Sequence, residues 1–213
     1  MLSRLGSLLP SFSRNKVDPS SFRANMSTAT SGPEIATFAA GCFWGVEHIF
    51  LKHYPPAQNK GILKTSVGYT GGHTQNPTYQ QVCTKGTGHA EGLRIEFDPA
   101  IVSYKELVEF FFRTHDPRTV DQQGNDRGSQ YRSAIFAHSA DQLAIANAVK
   151  ADVLSKHLGD YEKYGSGPKA VATQIVDASD AKKVPWYDAE DLHQLYLFNN
   201  PSGYQCPSHR LYW

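Results

Sequence analysis

Ile35-Ala36-Thr37-Phe38-Ala39-Ala40-Gly41-Cys42-Phe43-Trp44-Gly45-Val46-Glu47-His48-Ile49-Phe50-Leu51-Lys52-His53 is the most informative stretch of the chain. Ile35–Ala40 is a short apolar run that stops at Gly41, which reads as a buried strand. Val46–His53 places Val46, Ile49 and Phe50 on one helical face. Between them the chain leaves a strand and opens a helix, with Cys42 at the junction. A cysteine there feels the positive end of the helix dipole and unpaired backbone N–H groups, and both favour thiolate. The flanking Gly41 and Gly45 permit a sharp turn and the close approach of another molecule. Phe43 and Trp44 add apolar surface beside the sulfur. The alternative reading is a buried structural cysteine beside core aromatics.

Outward from this junction the chain alternates strand and helix signals. Ile62–Tyr69 reads as a strand running into the loop Gly71-Gly72-His73, and Leu93–Asp98 as a strand ending at Pro99. Ser103 to Glu106 has the pattern of a capping box opening a helix over Tyr104–Arg113, and Ser139 to Gln142 opens another that runs to about His157, with Gly159 as its C-cap. Asp121–Gln130 reads as a loop, Tyr131–Ala137 and Ala170–Val176 as strands, Ala189–Leu197 as a short helix, and Asn199–Trp213 as an irregular tail. This interleaving lacks strict βαβ regularity. The expected class is α+β, a mixed β-sheet covered by helices.

The chain has 213 residues, 40% hydrophobic and 19% charged, enough for one well-buried core. A net charge of +1 argues for neither nucleic acid nor membrane as partner, and no apolar run is long enough to span a bilayer. One domain is expected over 34–213. Residues 1–33 differ: serines alternate with Arg4, Arg14, Lys16 and Arg23, and Asp18 is their only acid. That composition suits either a mitochondrial transit peptide or a plain disordered leader; a secretory signal lacks its apolar region. A second start at Met26 would yield an untargeted form, so mitochondrial and cytoplasmic locations are both expected.

Three cysteines, Cys42, Cys83 and Cys206, are too few and too odd in number for a disulfide scaffold, and none forms a Cys-x-x-Cys zinc pair. No metal is expected. Gly88-His89-Ala90-Glu91-Gly92 places a carboxyl among small residues at a strand entrance. Burial there would raise its pKa and let it donate a proton near neutral pH; an ordinary surface glutamate is the alternative. Asn125 to Ser133 gathers hydrogen-bonding groups in one loop, including Asp126 and Tyr131, and Asn76-Pro77-Thr78-Tyr79 adds another phenol. Each tyrosine could equally be a core aromatic with a satisfied hydroxyl.

Taken together, Gly41-Cys42-Phe43-Trp44-Gly45, Gly68-Tyr69-Thr70-Gly71-Gly72, Asn76-Pro77-Thr78-Tyr79, Gly88-His89-Ala90-Glu91 and Asp126 to Ser133 resemble the motifs of the type A methionine sulfoxide reductases, in the family's order, over Ile35 to about Tyr204. The resemblance implies a two-layer sandwich with a ferredoxin-like core. It implies that Cys42 attacks the sulfoxide sulfur, Glu91 gives the oxygen its proton, and Tyr79 and Tyr131 hydrogen-bond that oxygen. Asp126 completes the polar wall, and Phe43 and Trp44 bind the methyl group. It further implies that Cys206 forms a disulfide with Cys42 and that thioredoxin, or a dithiol, reduces it without a bound cofactor. Oxidised proteins and free methionine sulfoxide are the implied substrates, the S epimer the implied stereochemistry, and a monomer is expected. Cys83 reads as a buried structural residue.

Three rivals remain. A zinc deaminase would use His89-Ala90-Glu91 but lacks Pro-Cys-x-x-Cys. A thiol protease would use Cys42 with a distant histidine, and a non-enzymatic redox-sensing module would use the thiol alone.

Overall fold

Residues 32–158 and 168–213 are described in a computed structural model. Residues 1–31 of the leader, Met26 among them, and Gly159 lie outside them. The chain begins with strand β1 (Glu34–Ala40), helix α1 (Phe43–His53) and strand β2 (Ile62–Thr70), followed by the short helix α2 (Tyr79–Cys83), strand β3 (Ala90–Phe97) and helix α3 (Tyr104–Arg113). A two-residue hairpin, β4 (Gln122–Gln123) and β5 (Asp126–Arg127), precedes β6 (Ser133–Ala137), α4 (Ala140–Lys156), β7 (Gln174–Asp177), β8 (Trp186–Asp188) and α5 (Tyr196–Asn199).

Six strands form one sheet in the order β7-β6-β1-β3-β2-β8. Every neighbouring pair is antiparallel except β6 with β7. The middle four, β6-β1-β3-β2, with α1 and α3 as crossovers, make the ferredoxin-like core of an α+β fold. Side chains alternate between faces along each strand. Phe38 and Ala40 of β1, Val67 and Tyr69 of β2, and Leu93 and Ile95 of β3 enter the main core with α1 and α3, while Ala39, Ala90, Ala134 and Phe136 form a second cluster on the opposite face. In the main core Phe38 stacks on Phe50 of α1 (5.6 Å) and Phe111 of α3 (5.1 Å). Such pairs add to the roughly 1.5–3 kcal/mol gained by burying each apolar side chain. Glu91 has the same parity as Leu93 and Ile95, so β3 aims its carboxyl at the N-terminus of α1.

Element boundaries shift where tertiary partners intervene. α1 starts at Phe43, because Cys42 itself is the N-cap residue. β3 starts at Ala90, which places Glu91 inside the strand rather than at its mouth. The reciprocal capping box is found at α2: Thr78 Oγ1 accepts from Gln81 N–H and Gln81 Oε1 from Thr78 N–H. Ser103 and Ser139 supply only their own half of the box. Glu106 instead accepts from Tyr54 Oη, and Gln142 accepts from His138 N–H while donating to Ile35 O. The expected strand Ala170–Val176 is Gln174–Asp177, and β6 begins two residues late because Ser129–Tyr131 is a single helical turn.

The expected helix Ala189–Leu197 is two short turns broken at Gln194-Leu195. Leu195 sits in the left-handed region (φ 53°), and its N–H is held by buried Glu47 of α1 at 2.7 Å. The C-terminal tail is irregular but docked. His209 Nε2–H donates to Ala40 O (2.7 Å), Tyr212 N–H to Arg113 O (2.9 Å) and Arg113 Nε–H to Trp213 O (2.8 Å). Among the described residues no helix is long and apolar enough to cross a membrane.

Candidate active site

Cys42 is 7% exposed and ends the crossing from β1 into α1. Glu91 is 1% exposed, and its Oε2 accepts the Phe43 backbone N–H at 3.1 Å, so the carboxyl lies against the first turn of α1. Burial pushes the Glu91 carboxyl up to about 8, against the lowering effect of that hydrogen bond and with a further push from Asp126. At neutral pH Glu91 is therefore mostly a carboxylic acid.

Burial opposes the thiolate expected at Cys42. Burial first, and the neighbouring Glu91 second, drive the thiol well above its usual range. Backbone N–H groups of Trp44 and Gly45 pull the other way but do not prevail. A sulfur removed from water loses more hydration than the end of a helix restores. The resting pair is neutral on both sides, a thiol and a carboxylic acid, and leaves no uncompensated charge in the core.

The glycines around Cys42 admit the protein's own tail rather than a foreign molecule. A Cβ at Gly45 would overlap the His209 ring, and Gly41, at φ 93°, lies against the Gln123 side chain. Gln123 also accepts the Cys206 thiol at its carbonyl (3.4 Å), and Ser208 Oγ lies 3.1 Å from the same sulfur. Cys206 is therefore buried beside the β4–β5 hairpin, not free in a loose tail. Cys42, Cys83 and Cys206 are all unbridged.

Tyr79, Tyr131 and Asp126 come together around this pair. Burial, then the Glu91 charge, pushes both phenols above the ordinary tyrosine range, so both keep their protons as donors. Asp126 Oδ1 accepts from Tyr204 Oη (3.0 Å), while Oδ2 is buried without a partner. Phe43 is almost wholly buried (1%) against Tyr69, and half-buried Trp44 forms the open part of the aromatic wall.

Several site residues carry no motif recognised in the sequence. Trp44 Nε1–H donates to His193 Nδ1 (3.2 Å), and Trp44 stacks on Tyr196 (3.8 Å between ring centroids). His193 also packs on Tyr79 (4.5 Å), and burial keeps its imidazole neutral, with a lone pair for the indole. Glu190 accepts from Tyr69 Oη and Tyr79 N–H, both at 2.9 Å, tying β2 to α2. The only signal was the density of polar and aromatic residues from Glu190 to Tyr196, within a stretch that reads as a short helix.

The reading of Cys83 changes: it is exposed, not buried, because α2 turns Val82, the residue before it, into the core. His89, the ligand a zinc site would use, is engaged otherwise. Its Nδ1 accepts Gly72 N–H (3.1 Å) and its Nε2–H donates to Thr74 O (2.7 Å), which pins the glycine loop. Among the described residues no group of His, Cys, Asp or Glu could hold a metal ion.

A ferredoxin-like α+β frame that buries a thiol beside a protonated carboxyl suits a thiol-dependent oxidoreductase, and the comparisons with known proteins agree. The chain belongs to the peptide methionine sulfoxide reductase family, whose sequence profile matches residues 34–211. It is 52% identical over 180 residues to a probable peptide methionine sulfoxide reductase of Schizosaccharomyces pombe, covering 84% of this chain and 97% of the relative. Among solved structures it resembles reduced Mxr1 from Saccharomyces cerevisiae (TM-score 0.71, 36% identity, 92% of this chain and 95% of that one). It also resembles Mxr1 in complex with Trx2 (TM-score 0.51, 27% identity, 93% and 95%). Its reaction is the reduction of methionine sulfoxide.

Proposed function

We propose that the chain reduces the S epimer of methionine sulfoxide, in proteins and as the free amino acid, through Cys42, and that thioredoxin restores the enzyme. The observation that carries this reading is the buried Cys42–Glu91 pair, joined through the Phe43 N–H. Cys42 attacks the sulfoxide sulfur while Glu91 protonates the departing oxygen. The thiol's own proton returns to Glu91, and the hydroxyl passes from the substrate sulfur to Cys42 Sγ as the bond between the two sulfurs breaks, so the thiol and sulfoxide become a sulfenic acid and a thioether with no net proton change. Tyr79 and Tyr131 donate hydrogen bonds to the oxygen as its charge grows. The unpartnered Asp126 Oδ2 completes the polar side. Trp44, fixed by His193 and Tyr196, packs on the methyl group together with Phe43. One chain supplies every one of these residues, so the monomer is sufficient. Reduction of each epimer separately with dithiothreitol tests the reading; equal rates would refute the stereochemical part, and no reduction the whole.

Cys206 then attacks the sulfenic acid, giving a Cys42–Cys206 disulfide and water, and thioredoxin reduces the disulfide by exchange. Support comes from the place of Cys206, beside Gln123 and three residues before His209, which packs on Gly45. The likeness to Mxr1 in complex with Trx2 supports the reductant. Cys206→Ser should keep one stoichiometric burst of methionine, lose turnover with thioredoxin and retain some with dithiothreitol, which reaches the sulfenic acid directly. Cys83→Ser should match the parent in all three, with little stability cost for an exposed thiol. Loss of thioredoxin turnover in Cys83→Ser alone would transfer the resolving role to Cys83.

The basic, serine-rich leader supports delivery to mitochondria, with a cytoplasmic form starting at Met26. A full-length reporter fusion should enter mitochondria and one starting at Met26 should not. A full-length fusion confined to the cytosol would overturn this.

A further inference from the structure

We propose that the open edge of β2, along Ile62–Ser66, is a docking strip for the backbone of the oxidised polypeptide. This rests on the protein's reading as a reductase of sulfoxide carried in a peptide.

β8 is three residues long and pairs only with Gly68–Thr70. At the next position the Gln194 side chain imitates a strand. Its Oε1 accepts Val67 N–H and its Nε2 donates to Val67 O, each at 2.9 Å. Beyond it, among the described residues, Ile62–Ser66 pair with β3 alone. Backbone groups of alternate residues point to the same side of an antiparallel ladder. Those of Val67 point outward, so Thr65 presents its N–H and C=O outward too.

A groove of about 820 Å³ runs along this edge, lined by Thr65, Leu51, Ala57, Leu195 and Phe198, the last two close to half exposed. Leu195 and Phe198 belong to the segment that also walls the active site. On the same segment His193 and Tyr196 hold Trp44 while Leu195 and Phe198 face the groove. Thr65 Oγ1–H donates to Glu47 (2.9 Å), one helical turn beyond Trp44 on α1, so a chain whose sulfoxide sits against Trp44 needs only a few residues, at about 3.3 Å each, to reach the strip.

This continuity selects the occupant. Backbone hydrogen bonding along a strand edge gives affinity without reading side chains. That suits a substrate defined by one oxidised side chain in many sequence contexts. Lys64 and the register shift between Ile62 and Lys64 discourage long strand-to-strand association, so the edge favours a short segment over a second copy.

The test compares free methionine sulfoxide with short peptides carrying one sulfoxide and with the same peptides N-methylated at single backbone positions. One lost backbone hydrogen bond is worth about 0.5–1.5 kcal/mol, or roughly two- to tenfold in KM. Methylation at one or two alternate positions should raise KM by that factor and leave kcat unchanged. Ala57→Trp, an exposed residue that would fill the groove, should raise KM for the peptides and leave the kinetics of the free amino acid unchanged. A flat methylation scan, an equal effect of Ala57→Trp on both substrates, or a dimer that Ala57→Trp dissociates would each overturn the proposal. Failure to reduce the free amino acid as well would instead remove the reductase reading beneath it.

Discussion

Cys42→Ser abolishes sulfoxide reduction with thioredoxin and with dithiothreitol alike. A hydroxyl is a far poorer nucleophile than a thiol, and serine has no sulfenic state through which to cycle. The loss is not a folding effect. Cys42 is the N-cap of α1 yet makes no side-chain cap hydrogen bond, and serine is a preferred N-cap residue of similar size. The variant's thermal midpoint should therefore equal or exceed the parent's. The measurement is methionine formed per enzyme in a single turnover, beside a thermal melt. Turnover that survives in a folded Cys42→Ser protein would remove the nucleophile from this sulfur and the mechanism with it.

Glu91→Gln slows the reductase step by about 10²–10⁴-fold, the usual worth of a positioned general acid. The amide keeps the shape, and its oxygen can still accept the Phe43 N–H, but it has no acidic proton. Two pH signatures separate this role from mere packing. Glu91 must be protonated to act, so the parent's single-turnover rate should fall as pH rises through about 8. The stability sign runs the same way. Between its ordinary value of 4.5 and about 8 the folded protein holds a proton on Glu91 that the unfolded chain has released. Stability is therefore full below that window and declines as pH rises through it, by on the order of a few kcal/mol. Glu91→Gln should lose less stability than the parent between pH 5 and 9, roughly the same window widened at its alkaline end. A loss of rate under about threefold would reassign the proton to a tyrosine or to water.

Local chemistry was legible in the sequence. The apolar run before Gly41, the serine caps of α3 and α4 and the alternation of β2 each depend on residues a few positions apart. So the α+β class, the span of α3 and the place of Cys42 between strand and helix could be read directly. The two-layer, ferredoxin-like arrangement and the set Cys42, Glu91, Tyr79, Tyr131, Asp126 and Cys206 came from likeness to a family.

Tertiary structure alone decided the rest. Glu106 matched its capping pattern yet accepts from distant Tyr54, and Gln142 takes His138 N–H, one residue before the cap, while its amide N–H reaches Ile35 across the core, because a hydrogen bond across the core competes equally with one across three residues. Gln194 looked like a helical residue and became the last rung of β2. Cys83 looked like a core residue and is exposed, since a five-residue helix buries only one side chain. At the site, helix-end electrostatics read from the sequence pointed to a thiolate. Burial, which no sequence of itself reports, outweighs that effect at Cys42, raises Glu91 as well, and leaves one proton for the sulfoxide oxygen and one to replace it on Glu91.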